Sequence, residues 1–162
     1  MQLSSAEALW FLPFVAPICF YVAWTDMKMM KITNQSVMVL TFVYVIIGPL
    51  ALPFEDYLWR YLHLIVVLLI GILLNAAGAV GAGDAKFAAA AAPFIALGDV
   101  TRVAMVFAVV LLAAFATHRI AKHSPIRNMV PDWESWSKKK DFPMGLALGG
   151  TLAAYLLLAA IA

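Results

Sequence analysis

Charge is scarce in this 162-residue sequence: Asp, Glu, Lys and Arg together make up 12% of it, about half the share found in ordinary soluble domains. A water-soluble globule of this length has too little interior to hide the 65% of residues that are hydrophobic. The same composition excludes a disordered chain. Long polar segments are missing too: none exceeds about 25 residues, so no second domain is expected. Cysteine is nearly absent. The lone Cys19 can form neither an internal disulfide nor a four-thiolate zinc site, and in its apolar run it reads as a small side chain, buried or lipid-facing. A net charge of only +2 gives no reason to expect nucleic acid as a partner. His118 and His123 have no Cys, Asp or Glu at metal-site spacing, so neither a metal nor a cofactor is expected.

Apolar length is what the chain has. The runs are Ala6–Trp24, Ser36–Phe54, Tyr61–Ala79, Ala85–Gly98, Arg102–Thr117 and Phe142–Ala162. At ~20 residues per spanning helix, six helices use roughly 120 residues and leave about 42 for loops and ends. The expected fold is all-α: one polytopic membrane domain over residues 1–162 with six transmembrane helices. The first run has no basic flank before it, carries Glu7, and is followed by Lys28 and Lys31, which suits an uncleaved anchor. The fourth run contains Pro93, and its helical reach of ~21 Å falls short of a ~30 Å hydrocarbon core. It is either a short helix inside the bundle or one that extends through Asp99.

Orientation follows from the basic residues. Six spans put loops near residues 25–35, 80–86 and 118–141 on one side, with Lys28, Lys31, Lys86, Arg119, Lys122, Arg127, Lys138, Lys139 and Lys140. The other side has Arg60 and Arg102 alone. The positive-inside rule then places the three basic loops in the cytoplasm and both termini outside. Trp10, Tyr57, Trp59 and Tyr61 read as outer interfacial anchors, and Trp24, Trp133 and Trp136 as inner ones. Residues 118–141 read as a solvated loop beside an anionic leaflet. Asn75 is expected to hydrogen-bond between helices, and Gly145 and Gly149 form a GxxxG helix-packing pattern.

Two acids stand out once loop charges are set aside, because ionisable groups at membrane depth tend to mark function. Asp26 follows the first apolar run. Asp84 closes Gly81-Ala82-Gly83-Asp84, where it is expected to cap the fourth helix. Each taken alone has a structural explanation, as the first polar residue past the membrane or as a helix cap. Together they lie at the cytoplasmic ends of two helices that one bundle can pack side by side. A close carboxyl pair shares one proton, so that one member activates water while the other protonates a carbonyl oxygen. That chemistry hydrolyses a peptide bond without a metal. Gly81 and Gly83 are expected to let an extended peptide approach. The helix dipoles favour Asp84 as the base and Asp26 as the protonated partner, an order that Lys28, Lys31 and Lys86 can reverse.

These segments resemble the type IV prepilin peptidases. Gly81-Ala82-Gly83-Asp84-Ala85-Lys86-Phe87 is similar to that family's GxGDxK segment, and Asp26 through Asn34 is similar to its first-Asp segment, with Thr33 where a proline is usual. The resemblance implies an aspartic endopeptidase of a bacterial inner membrane with its active site facing the cytoplasm. Its substrate would be a prepilin or pseudopilin whose short basic leader precedes a hydrophobic helix. Asp26 and Asp84 carry over as the catalytic pair, and Gly81, Gly83, Lys86 and Asn34 as motif or substrate-approach positions. The chain lacks the cysteine-bearing cytoplasmic insert of larger relatives, so it looks like the compact form of tight-adherence (Flp) pilus systems, and methyl transfer is not expected. The alternatives are a small proton- or cation-coupled transporter and a non-enzymatic assembly subunit. A transporter calls for acids near the bilayer midplane, often in an internal repeat, and neither is visible here. Oligomeric state is not legible.

Overall fold

A computed structural model describes residues 1–138 and 142–162. The described residues are helical, with six α-helices: α1 (Ser5–Met29), α2 (Asn34–Ala51), α3 (Phe54–Ala76), α4 (Ala82–Ala91), α5 (Val100–Lys122) and α6 (Met144–Ile161). Five are long and apolar enough to cross a membrane, namely α1, α2, α3, α6 and the stretch Leu97–Lys122 that contains α5. Their outward faces carry large apolar side chains such as Phe20, Ile46, Leu73 and Leu112, as lipid contact requires. The chain is a multi-pass membrane protein.

Helix α1 starts at a capping box. Ser4 Oγ accepts the Glu7 N–H at 3.3 Å, while the Glu7 carboxylate accepts the Ser4 N–H at 2.8 Å. Its buried stripe of Ala8, Phe11, Val15, Cys19 and Val22 recurs at helical spacing and packs chiefly on α6. Gly149 makes that contact close: a Cβ there would lie 2.8 Å from the Cys19 carbonyl oxygen. The GxxxG of α6 is therefore a true packing surface.

The fourth apolar run departs from a spanning helix. Its α-helix has ten residues, then breaks at Pro93 into 3-10 turns over Ala92–Phe94 and Leu97–Asp99, with Ile95 and Ala96 extended between them. The reason is the proline, which cannot donate to the helical ladder. Helix α4 is also too apolar and too small in side chain to face water: Ala85, Phe87 and Ala89–Ala92 are all buried. It fills the space among α2, α3 and α6. Gly71 of α3 comes so near that a Cβ there would stand 2.9 Å from the Ala85 Cβ. The unwinding gives the segment reach, since 3-10 and extended residues rise more per residue than α-helix. Gly83 lies beside Ile32, just past α1, and Gly98 donates its N–H to Gln2 Oε1 at 2.9 Å, just before α1. Residues 83–98 thus run from one end of the bundle to the other, ending at Asp99 as one of the two expected extents required.

Asp99 ties that far end together. Its Oδ2 accepts the N–H groups of Gln2 and Leu3 at 2.8 and 3.1 Å and the Tyr155 hydroxyl at 3.0 Å. Arg60, expected in a loop, lies in the second turn of α3 and is buried, with Nη1 3.5 Å from the Pro93 carbonyl freed by the helix break. Tyr44, Tyr57, Tyr61, Phe11 and Phe94 form an aromatic core, with Tyr44 stacked on Tyr57, Phe94 edge-on to Phe11 and Tyr44, and Tyr61 edge-on to Tyr57. Tyr57 and Tyr61 therefore pack inward, where outer interfacial anchors were expected.

Other expectations need correction. Asn75 does not bridge helices; its Nδ2 donates 2.8 Å to the Val80 carbonyl and closes the turn after α3. The expected loop from residue 118 begins inside α5, and His118 is buried, stacked on Trp136 and edge-on to Phe142. Trp136 is buried in turn, and Trp133 meets Trp24, so these tryptophans dock the loop on the bundle. Lys139, Lys140 and Asp141 lie outside the described residues.

Asp99→Ala removes the acceptor of three donors in a dry site and is expected to cost about 3 kcal/mol, against about 1 kcal/mol for Tyr155→Phe. Thermal unfolding in detergent checks this, and equal losses would refute the central role of the carboxylate.

Candidate active site

Asp26 extends the buried stripe of α1 by one more turn, four residues after Val22. It is not the first residue past the membrane but a core position, with 5% of its surface exposed. A carboxyl there needs donors. One comes from α6, whose first N–H groups have no partner within the helix. The Gly145 N–H donates to Asp26 Oδ2 at 2.6 Å. Only glycine permits the approach: a Cβ at 145 would lie 2.8 Å from the Asp26 Cβ. Helix α1 then ends one residue past Met29, where Met30 takes a left-handed conformation (φ 50°) and its N–H donates to the Asp26 carbonyl.

Asp84 is the third residue of α4, and Gly81 is the N-cap. The expected cap role is thus reversed. The carboxyl folds back over Gly81, the side on which an acid at this third position completes half of a capping box. The motif glycines make room for the chain itself. A Cβ on Gly81 would stand 2.6 Å from Asp84 Oδ2, and one on Gly83 would stand 3.2 Å from the Ile32 Cβ. On the side where a Cβ would stand, both glycines are thus packed by the chain itself.

The two acids lie at the same end of the bundle. Asp26 is held by the Gly145 N–H of α6, and Gly83, beside Asp84, packs on Ile32 in the loop that follows α1. At the rim, the Lys86 Nζ donates to Asn34 Oδ1 at 3.1 Å and joins α4 to the first turn of α2. The expected motif residues Asp26, Asn34, Gly81, Gly83, Asp84 and Lys86 thus gather at one end of the bundle. Thr33, standing in place of a proline, keeps the loop ordered by other means. Its φ of −77° is one a proline would impose. Its Oγ1 accepts the Ser36 N–H at 3.2 Å, and Ser36 Oγ returns 2.8 Å to the Thr33 carbonyl.

A family model described as the type IV leader peptidase family matches residues 14–119, more than half of the chain. The chain belongs to the type IV leader peptidase family. A member of it is a protease, here one embedded in the membrane. No curated protein and no solved structure matches the chain. The matched stretch holds both acids and their motif neighbours but stops short of α6. Gly145, which touches Asp26, had shown itself in the sequence only as half of a packing pattern; Pro143 two residues before it, marking a helix start, was the available signal.

Among the described residues no cluster of three or more His, Cys, Asp or Glu could hold a metal ion. Two apolar grooves, of about 410 and 320 Å³, flank α4 between α3 and α5 and share Val67, Ala92, Ile95, Val100 and Val103. The second begins at Phe87, one turn from Asp84.

Thr33→Ala is expected to cost about 1 kcal/mol through the lost cap, and Thr33→Pro less, because the ring keeps the φ that the loop already has. Thermal unfolding of the two variants side by side checks the order.

Proposed function

We propose that this protease is an aspartic endopeptidase that removes the short basic leader from a prepilin or pseudopilin at the cytoplasmic face of a bacterial inner membrane. The observation that supports the reading is the placement of Asp26 on α1 and Asp84 on α4 at the same end of a lipid-exposed bundle. Two carboxyls in one field hold a single proton between them over a wide pH range. The ionised one takes a proton from water as that water attacks the scissile carbonyl carbon, and the protonated one donates to the carbonyl oxygen. Collapse of the tetrahedral species returns a proton to the leaving amine and restores the pair. The Gly145 N–H holds Asp26 Oδ2, which leaves Asp26 Oδ1 for this work.

Which acid starts as base is open to test on a new footing. Asp26 is at the C-terminal end of α1, where the dipole disfavours an anion, but the N-terminus of α6 points an N–H at the same carboxyl and opposes that effect. Lys28 and Lys31 are exposed at the same end and suit anionic headgroups that hold the inner rim in place. The apolar groove beside Phe87 and Ala88 supports a substrate whose hydrophobic helix stays in lipid while its leader junction reaches Asp84. Methyl transfer has no residues assigned to it.

Asp26→Asn and Asp84→Asn are each expected to lower leader cleavage by about 10³-fold or more, with the protein still in the membrane. Co-expression with a prepilin, read by the mobility of the processed pilin on gels, measures it. Normal processing by either variant would overturn the dyad.

A further inference from the structure

We infer that Gly145 is a positioning residue for Asp26, acting through its backbone N–H and through the Cβ it does not have. The inference rests on the dyad reading and adds a third element, α6, to it. Three features of the contact converge. The N–H to Oδ2 distance of 2.6 Å is shorter than an ordinary N–H···O bond, as a charge-assisted contact is. The donor is in the first helical turn after a buried Pro143, so no intrahelical carbonyl competes for it. The Cβ position of residue 145 is blocked by Asp26 itself, at 2.8, 3.0 and 3.1 Å from its Cβ, Oδ2 and Cγ.

The consequence is geometric. A carboxyl can rotate about its terminal torsion over a broad range. Anchoring Oδ2 on Gly145 fixes that torsion and leaves Oδ1 as the oxygen that faces water or substrate. Because α6 packs along the length of α1, the orientation is set by a helix pair rather than by a loop.

Gly149 supplies the control. Gly145→Ala and Gly149→Ala each force a Cβ to within 2.8 Å of an α1 atom, but at 149 that atom is the Cys19 carbonyl oxygen, two turns from Asp26. With purified enzyme and a synthetic prepilin in detergent, Gly145→Ala is expected to lower kcat about 10- to 100-fold relative to Gly149→Ala. KM and thermal stability should match in the two variants. Equal kcat values would overturn the inference and reduce Gly145 to packing. If Gly145→Ala does not accumulate, NMR of the unmutated glycine decides. Met144-Gly145 is the only Met-Gly pair in the chain, so 13C′-Met with 15N-Gly labelling isolates its amide. That signal should move on Asp26→Asn and scarcely on Asp84→Asn; an unmoved signal refutes the contact. The dyad reading fails separately: active Asp26→Asn or Asp84→Asn enzyme sinks it, whereas inactive Asn variants with an unaffected Gly145→Ala sink only the role of Gly145.

Discussion

A carboxyl group buried in a lipid-exposed helical bundle is tolerable only where something donates to it, and the close seam between α1 and α6 provides that. Gly149 and Gly145 remove two side chains from the seam, so the helix backbones approach until an N–H at the start of α6 reaches Asp26. In lipid the apolar tails solvate apolar side chains as well as protein does, so tight backbone packing rather than apolar burial holds such helices together. Gly149 serves cohesion, and Gly145 serves cohesion and chemistry together. Were the seam wider by a methyl group at Gly145, Asp26 would lose its donor.

The second organising feature is the short central helix α4. Ten residues of small side chains let α2, α3 and α6 crowd around it, and the crowding places its N-terminal turn, with Asp84, under the loop that follows α1. The cost is a backbone break after Ala91, with carbonyl groups released in an apolar setting. Arg60 answers one of them, and Asp99 gathers the N–H groups of Gln2 and Leu3 with the Tyr155 hydroxyl. The polar residues at the far end are thus accounted for by structure. Asp99 Oδ2 is taken up by those three donors, and its Oδ1 faces Arg102 at 3.7 Å.

Several parts of the molecule were legible in the residues because they follow from local physics. Apolar length announced the helices, and Asp26 and Asp84 were visible as acids against an apolar background. Lys86 and Asn34 were visible through motif spacing, and the structure joins them by a hydrogen bond. Boundaries were less legible: Arg60 and His118 looked like loop residues because charge marks loops on average, yet each is buried in a helix by a tertiary partner. Asn75 was misread for a similar reason, since an amide near a helix end serves its own turn before it serves a neighbour.

Sequence by itself determined that this chain lives in a membrane as packed helices and that two acids with their flanking glycines mark the candidate site, because hydropathy and residue chemistry are carried by the residues themselves. Tertiary structure alone decided that α4 is a buried stub rather than a full span, that Asp84 stands third in that helix instead of capping it, and that α6 reaches Asp26 through Gly145. Those outcomes depend on which backbones touch, and a backbone N–H leaves no trace in the identity of the residue that bears it.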